Sequence, residues 1–130
     1  MNLKIISLES FKKDAKELFK KNKKLPIDLK KLNDILQENP KSGIELSSDL
    51  YKIRLENSSS KVGKSGGFRV IYYYIDKNEK LYLLKIYSKT EIPNIKEEVL
   101  IKILNEQMSW NSGDSILNTD TEPWTLQNSS

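Results

Sequence analysis

Apolar residues recur along the first 108 positions in runs whose period changes from segment to segment. Leu3, Ile5 and Ile6 sit in a short run that predicts a strand. Ser7 then offers a helix N-cap, with Ser10 as a rival one turn later. Phe11, Ala15, Leu18 and Phe19 fall at helical spacing among lysines, predicting an amphipathic helix to about Lys21. Pro26 suits the first turn of a second helix, whose apolar stripe is Leu29, Leu32, Ile35 and Leu36. Asn39-Pro40 ends it, because a residue before proline avoids helical backbone.

Beyond Pro40 the period shortens. Residues 41–49 are polar and read as a loop. Leu50–Glu56 alternates strictly, with Tyr51, Ile53 and Leu55 facing one way and Lys52, Arg54 and Glu56 the other. Asn57–Gly67 is rich in serine and glycine and reads as an exposed, flexible connection. Phe68–Ile75 is a second strand, Asp76–Glu79 a hairpin turn and Lys80–Tyr87 a third strand. Ile95 to about Met108 returns to helical spacing. The order strand, helix, helix, three strands, helix predicts an α+β fold. A helical hairpin then packs on a mostly antiparallel four-stranded sheet.

Trp110–Ser130 has no usable period and is rich in Ser, Asn and Thr, so it is expected to be a disordered tail beside a domain at 1–109. It holds Asp114, Asp120 and Glu122 and no base. The formal +4 of the whole chain therefore leaves +7 on Met1–Ser109. A basic body of that size suits a polyanion or an acidic protein, although a Lys-rich solvated surface accounts for it as well. Such a tail could shield the basic face.

The chain has no cysteine and no histidine. This excludes disulfides, Ser-His-Asp catalysis and Cys or His metal sites. No metal and no cofactor are expected. No run approaches a membrane span and no signal-peptide pattern opens the chain, so a cytoplasmic protein is expected.

Alternation places basic and aromatic side chains together. Lys52 and Arg54 share a face, Arg69 shares one with Ile71 and Tyr73, and Lys85, Tyr87 and Lys89 share one on the last strand. Tyr73 and Tyr87 offer rings for unstacked bases. Lys61 and Lys64 lie among glycines, where phosphates can approach. An ordinary solvated sheet face is also often basic. Cleavage by attack of a 2′-hydroxyl needs a proton acceptor, charge stabilisation at phosphate and help for the leaving oxygen. Arginines suit the second task and lysines the others.

Three segments carry a family resemblance. Leu50–Leu55 resembles the second-strand signature of RelE toxins. Gly63–Tyr73 resembles the glycine-rich entry and third strand of HigB-like members. Leu83–Glu91 is similar to their fourth strand and its exit. The resemblance spans about Phe11 to Leu104 and implies a RelE/ParE-superfamily toxin of a type II toxin–antitoxin system. It implies ribosome-dependent cleavage of messenger RNA in the 30S A site and neutralisation by an antitoxin. Any contact with operator DNA would run through that antitoxin. Carried over by motif, the catalytic set is Lys52, Arg54, Arg69 and Lys89, with Lys61, Lys64, Tyr73, Lys85 and Tyr87 as RNA contacts. Where RelE has a tyrosine near the start of its last helix, this chain has Ile95. Tyr73, Tyr87 or a lysine could take its place. The superfamily leaves two other readings open: a ParE-like inhibitor of DNA gyrase, and a non-catalytic remnant that still binds an antitoxin.

Overall fold

A computed structural model describes residues 3–60, 67–88 and 95–110. The elements run β1 (Lys4–Ser7), α1 (Glu9–Lys21), α2 (Leu25–Glu38), β2 (Ile44–Ser47), β3 (Leu50–Leu55), β4 (Phe68–Ile75), β5 (Lys80–Ser88) and α3 (Glu97–Trp110). The α+β organisation is as expected, with one strand more than the alternation revealed. The sheet has five strands in the order β1-β5-β4-β3-β2. Only the β1–β5 pairing is parallel among those described.

The added strand, β2, comes from the segment expected to be a loop. It is an edge strand, and Ile44 and Leu46 stay exposed, so burial leaves no apolar rhythm in its sequence. A tight turn at Asp49, in the left-handed region at φ 64°, joins it to β3. Gly43 leads into β2 where a Cβ would lie 2.7 Å from the Lys52 carbonyl oxygen, so only glycine fits that approach.

The helical hairpin covers one sheet face. Phe11, Ala15 and Leu18 of α1 and Leu25, Leu29, Leu32 and Leu36 of α2 share a core with Tyr51, Leu55, Phe68, Val70, Tyr72, Leu81, Leu83 and Ile86. Tyr72 is fully buried there; it stacks on Tyr51 with centroids 5.2 Å apart, donates to the Pro40 carbonyl at 2.8 Å and accepts from the Gly43 amide at 3.0 Å. Ile35, expected in the α2 stripe, faces outward, and a buried position two turns earlier belongs to Asp28.

Neither serine proposed as the α1 cap serves as one. Leu8 occupies the cap position and points into the core, its amide donating to the Leu83 carbonyl. Ser10 donates instead to the Leu84 carbonyl at 2.6 Å. Docking α1 against β5 at these points outweighs a local cap worth about 1 kcal/mol. No helix of the described residues is long and apolar enough to cross a membrane.

Candidate nucleic-acid interface

The second sheet face is divided. Under α3 it is apolar: Leu8, Leu50, Ile71, Leu84, Tyr87 and Leu100 form a smaller core, flanked by Tyr73, Tyr82, Ile95, Ile103 and Leu104. Gln107 ties α3 to the start of α1 by accepting from the Ser10 amide at 3.1 Å. Toward β3 the face becomes basic.

Register decides which basic groups meet. Arg54 pairs with Arg69, and Arg69 with Tyr87, so one row crosses three strands. Adjacent strands lie about 4.8 Å apart, which places two guanidinium stems side by side with a phenol beyond them. Arg54 is exposed and Arg69 half-buried. One Arg69 nitrogen donates to the Phe68 carbonyl at 3.3 Å. Lys52 lies two residues along β3 from Arg54, about 7 Å by strand rise, in the row Lys52–Ile71–Lys85. Tyr73 lies four residues from Arg69, about 13 Å away, next to Leu50 and Tyr82.

Two of the expected contacts are occupied within the protein. Tyr87 is buried to 4% exposure, which leaves its ring little room to stack on a base. Burial pushes its phenol above the ordinary value, against the opposing pull of Arg69. Lys85 reaches away from the open face to α1, where its ammonium lies 3.1 Å from the Asp14 carboxylate. Lys61, Lys64 and Lys89 lie outside the described residues.

In the strand register Lys85 and Tyr87 share a face, as expected, and they do so just past a bulge. Ile71 pairs with Lys85 but Tyr72 with Leu83, so Leu84 is an extra residue in β5. Leu81 and Leu83 face the helical hairpin, yet beyond the bulge it is Ile86 that does so, and Tyr87 turns to the α3 side. Without this shift Tyr87 would point with Leu83, away from Arg69.

Two acids passed over in the sequence organise the surroundings. Asp14 accepts from the Ile86 amide at 3.1 Å and from Lys85. Burial raises its carboxyl above the usual range, with Lys85, the Ile86 amide and Lys13 pulling the other way. Asp28, fully buried, accepts from the Ser58 amide at 2.9 Å and from its hydroxyl. Asn22 accepts from the Asn57 side chain, and Ser59 Oγ accepts from the Lys24 amide. The start of the Asn57–Gly67 connection, expected to be loose throughout, is thus fastened to the helical hairpin. The signal was present: Asp14 and Asp28 stand at i+3 from Phe11 and Leu25, inside the apolar stripes of their helices.

No protein-family model matches the chain. A solved structure of the E. coli toxin RelE in the free state, with two arginines replaced by alanine, matches with a TM-score of 0.54 at 20% identity. The match covers 82% of this chain and 98% of that one. The chain has a RelE-like fold. The five-stranded mixed sheet, the N-terminal helical pair and the C-terminal helix fit that fold.

Proposed function

We propose that this protein is the toxin of a type II toxin–antitoxin pair, an endoribonuclease that cuts messenger RNA on the ribosome and is held in check by an antitoxin. The observation that carries the reading is the Arg54–Arg69–Tyr87 row, with Lys52 one step along β3, on the part of the face that stays basic. The RelE-like fold supports it.

The chemistry follows from the row. Arg54 and Arg69 hold the scissile phosphate from adjacent strands and stabilise the charge that builds on it as the 2′-hydroxyl attacks. The 2′ oxygen bonds to phosphorus, its proton passes to a base, and the 5′ oxygen departs with a proton from an acid. The products are a 2′,3′-cyclic phosphate and a 5′-hydroxyl. Tyr87 stays protonated at neutral pH, so it serves as a donor toward the phosphate and not as the base. Tyr73 is too far along β4 for a proton transfer at this row. Lys52 is within side-chain reach of it and takes one proton-transfer role. Lys89 takes the other. Lys61 and Lys64 are the outer phosphate contacts, and the ribosome supplies the RNA in a conformation ready for attack. The domain responsible is 1–109, with 110–130 as an acidic appendage.

The deciding experiment is to induce the protein in a bacterial host and map transcript ends on arrested ribosomes. New 5′-hydroxyl ends in the wild type, absent with Arg69→Ala, are expected. Intact transcripts with DNA breaks would replace this reading by gyrase inhibition.

A further inference from the structure

The parity shift in β5 raises the question of what holds it. β1 pairs with β5 only as far as Leu83. Past that point the outer edge of β5 would present unpaired backbone groups, and a one-residue slip would cost little in hydrogen bonds. The cap residue and first turns of α1 take over the edge. The Leu8 amide donates to the Leu83 carbonyl, the Ser10 hydroxyl donates to the Leu84 carbonyl, and the Asp14 carboxylate accepts from the Ile86 amide. The same carboxylate holds the Lys85 ammonium of the bulge. These contacts bracket the extra residue, Leu84, on both sides. Register with β4 beyond the bulge is what sets Tyr87 opposite Arg69.

We propose that Asp14 is a positioning residue for the basic face: by holding the Ile86 amide it locks the β5 bulge and keeps Tyr87 turned toward Arg69. Asp14 touches no substrate and works through the strand. Its effect on cleavage rests on the endoribonuclease reading above, whereas its effect on register does not. Of its two contacts, the bond to Ile86 sets the register, because an amide on the strand backbone fixes position and a long lysine side chain does not.

The test uses the full chain as Asp14→Ala, which removes the acceptor, and Asp14→Asn, which keeps an acceptor and removes the charge. In Asp14→Ala, Ile86 amide exchange should rise about tenfold or more, as a lost hydrogen bond of about 1.4 kcal/mol implies. Cross-strand contacts between Arg69 and Tyr87 should weaken, while those between Ile5 and Leu81 persist. Cleavage should fall by about 10–100-fold in kcat, with KM changed by less than about threefold, as misplacement of a held group predicts. Asp14→Asn should stay near wild type in both readouts. A folded Asp14→Ala with wild-type Ile86 exchange and intact Arg69–Tyr87 contacts would overturn the proposal. So would an Asp14→Asn that exchanges Ile86 about tenfold faster, an outcome that remains readable if Asp14→Ala does not fold. If the wild type cleaves no RNA, the exchange and contact measurements still decide the role of Asp14.

Discussion

The two faces of the sheet are built from the same strands and obey different rules. On the helical-hairpin side, every inward position from Tyr51 to Ile86 joins one continuous core closed by α1 and α2. On the other side, α3 closes only an apolar portion around Leu84 and Leu100, and the remainder carries Lys52, Arg54 and Arg69. The first face is saturated by packing, so its residues answer to stability. The second combines a small apolar core with basic side chains at the surface, the setting in which binding chemistry is found. A sheet with one committed face can afford the other.

Substitutions should separate the faces, the strongest first. Phe68→Ala empties the centre of the hairpin-side core and should cost about 3–5 kcal/mol, a large part of an ordinary domain's stability, measured by denaturant unfolding. Arg69→Ala, one residue along the same strand and facing the other way, should leave the unfolding midpoint almost unmoved while lowering RNA cleavage by about 100–1,000-fold. An Arg69→Ala protein that loses stability as Phe68→Ala does would erase the distinction. Leu100→Ala tests the boundary. The core it enters is smaller, so a loss near the lower end for such changes, about 2–3 kcal/mol, is expected.

Tyr72→Phe probes a polar link inside the saturated face. Removing the hydroxyl leaves the Gly43 amide and Pro40 carbonyl without their partner, a loss of about 1–2 kcal/mol. It should also remove an alkaline transition. Burial holds the Tyr72 phenol up to about 12 against an ordinary 10.0, so the fold favours the neutral form. That stabilisation is complete below pH 10 and lost as pH rises through the folded value, and the Phe variant should lack the decline.

The smallest effect is expected from Asp14→Asn. Its folded pKa is raised from 3.8, so its titration supports the fold fully below that value and loses that support as pH rises through the folded one. Asp14→Asn has no such titration. Its stability relative to wild type should therefore improve with rising pH across the acidic range, as pH-resolved thermal melts would show.

Much of this molecule was legible because burial writes periodicity into sequence. The spacing of Phe11, Ala15 and Leu18 and the alternation of Tyr51, Ile53 and Leu55 correspond to the surfaces that the helices and β3 bury. Arg69 could be assigned a face with Ile71 and Tyr73 because β4 alternates without interruption there. β2 was missed because an exposed edge strand buries too little to leave a rhythm. Ile35 was assigned to the core and Asp28 was not, since hydropathy alone ranks isoleucine first, whereas the fastening of Ser58 demanded a carboxylate at the inner position.

The residues by themselves determined every element type but β2, the α+β class and the concentration of basic side chains on β3 and β4, because those follow from local period and residue chemistry. Only the tertiary structure decided which of those side chains meet. Arg54, Arg69 and Tyr87 form a row because three strands pair in one register, and Tyr87 joins it because β5 carries one extra residue at Leu84. A bulge leaves no local signature when both phases of a strand are apolar. Around the bulge β5 offers apolar residues in both phases, with Leu81, Leu83, Leu84, Ile86 and Tyr87 all buried, and the helix edge at Ser10 and Asp14 selected the phase.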